Sequence, residues 1–134
     1  MSSGVIEGGC FCGAVRYRAS QAPDASMICH CRSCRRLAGA PAVGWVTFEA
    51  RAVALTGEPG EFSSSAPVRR GFCRSCGTQL TYRHAARPDE LDIATRTLDA
   101  PEAFPPTHHS WLSDDLPWVR FGDGLPTYLE SRTD

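Results

Sequence analysis

Short runs of alternating apolar and polar residues, separated by Gly, Pro and Ser, occupy most of this chain, and helix signals are scarce. Residues 14 to 19 set the pattern. Val15 and Tyr17 fall on one face and Arg16 and Arg18 on the other, which predicts a half-buried strand. Further strands are predicted over residues 26 to 29, 42 to 48, 52 to 56, 61 to 64, 68 to 72, 79 to 83 and 91 to 95. Two segments read as short helical turns: Ser33 to Ala38, and Pro101 to Phe104 with its leading proline. Neither is long enough for a core helix. The run Leu-Thr-Gly-Glu-Pro-Gly at 55 to 60 predicts a turn between strands, and Phe104-Pro-Pro-Thr a rigid connection into the final segment. The expected fold is mainly β, built from ten or fewer short antiparallel strands.

Size and charge narrow the setting. The 134 residues, 42% of them hydrophobic, suit one domain over 1–134 with a core from about 4 to 130. A net charge of -1 gives no general reason to expect nucleic acid or an anionic membrane. No apolar run reaches the length of a membrane span, and Met1-Ser-Ser-Gly4 has no leader character, so a cytoplasmic protein is expected. All fourteen basic residues are Arg, with no Lys or Asn in the chain, which points to a GC-rich bacterial genome.

The cysteines change the picture most. Seven are present, in three clusters: Cys10-x-Cys12, Cys29-His30-Cys31-x-x-Cys34 and Cys73-x-x-Cys76. An odd count in a reducing compartment fits metal ligation better than disulfides. The first and last pairs each end in a glycine, Gly13 and Gly77, as knuckle-like loops do. About sixty residues separate them, so one metal shared by both pairs would clasp the start of the domain to its middle. The central cluster supplies three thiolates from one loop running into a short turn. Its fourth corner is open, or is closed by His30, His108 or His109.

If that corner is open, charge says what it favours. Three thiolates around one zinc leave a formal charge of -1 and a weak Lewis acid, suited to an incoming thiol more than to making hydroxide. Arg32, Arg35 and Arg36 crowd the same loop; they offset negative charge and can bind carboxylates of an anionic thiol, as can Arg69 and Arg70. Trp45, Phe48, Trp111 and Trp118 read as core or pocket wall, and Asp114 and Asp115 as a solvated loop.

The segments Gly9-Cys-Phe-Cys-Gly-Ala-Val-Arg-Tyr17, Cys29-His-Cys-Arg-Ser-Cys-Arg35 and Phe72-Cys-Arg-Ser-Cys-Gly-Thr78, with His108, Trp111, Pro117-Trp118 and Gly124-Leu-Pro126, together resemble the GFA family. This is the family of the glutathione-dependent formaldehyde-activating enzyme and centromere protein V. The resemblance implies a β-tent fold and two zinc ions per chain; a central site of three thiolates can lose its metal, and its thiols can oxidise. It assigns Cys10, Cys12, Cys73 and Cys76 to a structural zinc and Cys29, Cys31 and Cys34 to a catalytic one. The implied activity is that of a carbon-sulfur lyase acting on a thiol-aldehyde adduct, with glutathione and formaldehyde as the named pair. Arg35, Arg36 and His108 are the candidate substrate contacts. The alternatives are a non-catalytic two-zinc structural or binding module, and a thiol redox sensor built on the central cysteines.

Overall fold

A computed structural model describes residues 5–132; Met1 to Gly4, read above as lacking a leader, and the last two residues lie outside the described part. Ten strands dominate: β1 Ile6–Gly9, β2 Arg16–Ala19, β3 Ala25–Cys29, β4 Val43–Glu49, β5 Val53–Thr56, β6 Gly60–Ser65, β7 Val68–Phe72, β8 Gln79–His84, β9 Glu90–Ala94 and β10 His109–Ser110. The one α-helix, α1, covers Arg32–Ala38, and four single-turn 3-10 segments complete the regular structure of the described residues. The expected mainly β class with few helical turns is what forms. No helix of the described residues is long and apolar enough to cross a membrane.

Two sheets share the strands. One holds three in the order β1-β2-β5, the other seven in the order β10-β3-β4-β9-β8-β7-β6. All pairings between named strands are antiparallel except β10 with β3, where His109 stands opposite Ile28 and Ser110 opposite Cys29. The strand segments at β1 and β10 were not expected from alternation. β1 is half glycine, and a side chain at Gly8 would collide with the Tyr17 ring and the Thr97 carbonyl, so close packing overrides weak strand propensity. β10 has only two residues and carries no period of its own.

Alternation along β4 and β9 divides the interior in two. Val46, Phe48, Leu91 and Ile93 join Val15, Tyr17, Ala19 and Leu80 in the main core, while Trp45 and Ala94, one residue out of step, pack with Cys29 and Cys34 in a second cluster. Between Gly71 and Phe72 the β7-β8 register slips past Leu80. Leu80 thereby joins the main core and Tyr82, two residues on, the second cluster. Every residue of the predicted alternation at Val15 and Tyr17 is at least 98% buried.

Candidate metal centre and its pocket

The turn after β1 and the turn after β7 carry the outer cysteine pairs to one point. The Sγ atoms of Cys10, Cys12, Cys73 and Cys76 all lie within 4.8 Å of one another. Cys12 Sγ is 3.7 Å from both Cys10 Sγ and Cys73 Sγ. A metal bound tetrahedrally at about 2.3 Å would set its sulfurs about 3.8 Å apart, so the spacing fits an ion at the centre. Backbone amides stabilise the sulfurs: Val15 N donates to Cys10 Sγ at 3.3 Å and Cys76 N to Cys73 Sγ at 3.4 Å. Gly13 and Gly77 both take left-handed φ values, +85° and +83°, which the knuckle turns require. The Thr78 hydroxyl ties the pairs together. It accepts from Phe11 N at 3.0 Å and meets Cys76 Sγ at 3.1 Å, and hydrogen bonds from Thr78 lower the Cys76 thiol to about 5.

The central cluster forms where β3 ends and α1 begins. Cys29 is the last residue of β3, and Cys31 caps α1, its sulfur accepting from Cys34 N at 3.3 Å. One helical turn then turns Cys34 inward, and Gly39 closes the helix in the left-handed conformation, φ 63°. The three Sγ atoms lie within 4.8 Å of one another, and among the described residues no histidine or carboxylate completes the group. Hydrogen bonding from Cys29 and Cys34 pulls the Cys31 thiol down, with Arg70 adding to the effect, while the same sharing and burial push Cys29 up. All seven cysteines are free.

His30, one of the residues weighed as a fourth ligand, points the other way. Its Nδ1 is 3.0 Å from Asp115 Oδ1 and its Nε2 2.9 Å from His109 Nδ1; His109 Nε2 in turn sits 2.9 Å from Asp123 Oδ2. Both rings are 1% exposed and pack against Phe121. The chain Asp115-His30-His109-Asp123 therefore uses all four ring nitrogens behind the cysteine loop. Asp115, expected in a solvated loop, is instead drawn in by His30, its side chain 15% exposed. His108 is buried with its ring edge-on to Tyr128 and its Nδ1 3.1 Å from Thr107 Oγ1.

A pocket of about 360 Å³ opens onto the three sulfurs. Its walls include Met27, Trp45, Tyr82, Trp111, Arg70 and Asp92. Trp111 holds a left-handed backbone, φ 62° and ψ 38°, at a cost of roughly 1–2 kcal/mol for an L-residue. Asp92 bonds Thr47 Oγ1 at 2.7 Å, and burial pushes its carboxyl up to about 6 against the effect of that bond. Arg70, 3% exposed, reaches Cys34 Sγ with both terminal nitrogens at 3.7 and 3.8 Å.

The loop arginines separate. Arg32 lines both the pocket and a neighbouring shallow hollow, whereas Arg35 and Arg36 line only the hollow, with Gly39 and Trp118. Arg35 also ties the loop down, donating from Nε to the His30 carbonyl at 3.1 Å and from Nη2 to the Asp114 carbonyl at 2.8 Å. Asp92 and Tyr82 were not singled out from sequence. For Asp92 the only local signal was a polar residue at a position the β9 alternation turns away from the main core; Tyr82 had none, because strict alternation puts it on the face of Leu80 and only the β7-β8 register slip separates the two.

The family profile described as glutathione-dependent formaldehyde-activating enzyme matches residues 5–114, which include all seven cysteines. The chain belongs to the GFA family. A GFA-type relative in Halomonas elongata, provisionally named a glutathione-dependent formaldehyde-activating enzyme, is 28% identical over 126 residues, 86% of this chain and 80% of that protein. An uncharacterized lyase of Schizosaccharomyces pombe is 30% identical over 78 residues; the match spans 58% of this chain and only 57% of the lyase. Among solved structures, a Rhodobacter sphaeroides protein determined in a structural genomics programme superposes with a TM-score of 0.58 at 18% identity, covering 91% of this chain and 98% of that one. That likeness is one of fold.

Proposed function

We propose that this protein is a zinc-dependent carbon-sulfur lyase that makes or breaks the adduct of a small thiol with an aldehyde, and that glutathione and formaldehyde are its substrate pair. The observation that carries the reading is a group of three cysteine sulfurs facing a pocket, with no fourth ligand among the described residues. The names of the family and of its Halomonas relative support the thiol and aldehyde. The donor sets support zinc: four thiolates for a closed structural ion held by Cys10, Cys12, Cys73 and Cys76, and three for an ion held by Cys29, Cys31 and Cys34 with room for substrate. Bound there, zinc supplies a soft Lewis acid that lowers the pKa of a thiol and favours its nucleophilic form.

The chain's own residues supply the rest. The Cys34 amide and Arg70 stabilise negative charge on the sulfurs. Trp45, Tyr82 and Trp111 form an apolar wall that limits water around the reacting thiol. Asp92 faces the same space and holds a proton readily below about pH 6, which suits it to protonate the alkoxide when sulfur adds to a carbonyl and to remove that proton in reverse. A fixed proton carrier matters because the adduct forms without an enzyme; what a catalyst can change is the rate of exchange.

Exchange NMR on an equilibrium mixture of glutathione, formaldehyde and their adduct tests the reading. Two-zinc protein should accelerate exchange in proportion to its concentration, and Cys31→Ser should abolish the acceleration while retaining the fold and one zinc. Wild-type protein carrying both ions but leaving the exchange rate at its uncatalysed value would refute it.

A further inference from the structure

A guanidinium that is 3% exposed needs an anion, and Arg70 has no carboxylate partner among the described residues. Its neighbour at position 69 does: Arg69 points outward to Glu61 at 3.3 Å and Ser63. Arg70 points inward. Nε donates to Ser64 Oγ at 2.9 Å, the guanidinium lies 5.0 Å from the centre of the Tyr82 ring, and both terminal nitrogens face Cys34 Sγ. A hydroxyl and a π-face offset only part of the cost of burying a full positive charge. The remaining candidate for its counter-charge is the sulfur cluster itself.

We propose that Arg70 is the charge-balancing partner of the three-cysteine centre, and that it allows the free position there to take an anionic sulfur ligand. The inference rests on the reading of Cys29, Cys31 and Cys34 as metal ligands. Three thiolates and a divalent ion sum to -1; Arg70 brings the assembly to zero. An incoming thiolate then takes it to -1 instead of -2, a large difference inside a partly buried site. Arg70 acts through the sulfurs as a positioning residue. This role differs from binding a substrate carboxylate, since it must operate on a thiol that carries none.

The test uses Arg70→Gln and Arg70→Lys in zinc-loaded protein, with competition by a chromophoric chelator reading each site. Loss of an outer-shell partner typically weakens metal affinity 10- to 100-fold. Arg70→Gln should lose that much at the central site and nothing at the four-cysteine site. Arg70→Lys, which keeps the charge but gives up the forked contact with Cys34 Sγ and the bond to Ser64, should keep the central metal with an affinity between those of Arg70→Gln and wild type, and match wild type at the other site. In cobalt-substituted protein, 2-mercaptoethanol should raise the sulfur-to-cobalt charge-transfer band, with at least tenfold weaker binding in Arg70→Gln. Central-site affinity unchanged in Arg70→Gln would overturn the proposal. So would loss of the central metal in Arg70→Lys, which decides the matter even if Arg70→Gln does not fold. A defect seen with glutathione but not with 2-mercaptoethanol would assign Arg70 to carboxylate binding and overturn it as well. None of these readouts depends on lyase activity, so a failure of the enzymatic reading and a failure of this one are distinguishable.

Discussion

Asp92 shows how one residue's surroundings convert into pH dependence. Burial outweighs the hydrogen bond from Thr47 and raises its carboxyl from an ordinary value near 4 to about 6. The folded chain therefore binds this proton more tightly than the unfolded chain. The stability it contributes is complete below about pH 4 and is lost as pH rises through 6. Asp92→Asn keeps the shape and removes the titration. Its melting temperature relative to wild type, followed from pH 4.5 to pH 8, should rise by several degrees and level off above about pH 6.5. A flat difference would mean that Asp92 is solvated in the native state. The same variant, if Asp92 carries the adduct's proton, should also slow exchange most near pH 6, where both forms of the carboxyl are populated, and less on either side.

At the scale of elements, the two cysteine clusters differ in what they hold together. The first joins the β1-β2 turn to the β7-β8 turn, and thus the three-stranded sheet to the seven-stranded one. The second is local to the end of β3 and the start of α1. Zinc-finger peptides gain roughly 10–16 kcal/mol from such a metal, as much as a small domain's whole stability. Cys73→Ser should therefore unfold the protein or lower its melting temperature by more than 15 °C, whereas Cys34→Ser should cost only a few degrees. Thermal denaturation of both, with zinc content measured alongside, checks this; equal losses would contradict the division of roles. The elements themselves were largely legible in the sequence, because alternation places Val15, Tyr17, Val46, Phe48, Leu91 and Ile93 on buried faces. Cluster membership was legible too, since Cys-x-Cys and Cys-x-x-Cys spacings with trailing glycines state a local geometry. β1 and β10 escaped notice because each forms through a partner strand and not through its own pattern.

Across the whole molecule, distant segments converge on the loop from Cys29 to Cys34, and this convergence was not legible. β10 lies parallel to β3, with His30 N donating to the Ser110 carbonyl at 3.0 Å, and so sets His109 against His30. Asp115, Phe121 and Asp123 close around that pair from beyond the residues matched by the family profile. Arg70 arrives from β7, 36 positions from Cys34. No spacing in the chain encodes contacts at such separations; a polar residue in a strand and a lone histidine read alike whether they face water or a metal centre. The result is a cysteine loop with its histidine engaged behind it, an arginine beside it and open space in front. The most direct test of that arrangement is zinc X-ray absorption on the two-zinc protein before and after adding glutathione. The account predicts sulfur at about 2.3 Å together with one water oxygen at about 2.0 Å at half of the zinc, the oxygen being replaced by sulfur when the thiol is added. A histidine at either ion, or a first shell unchanged by thiol, would contradict it.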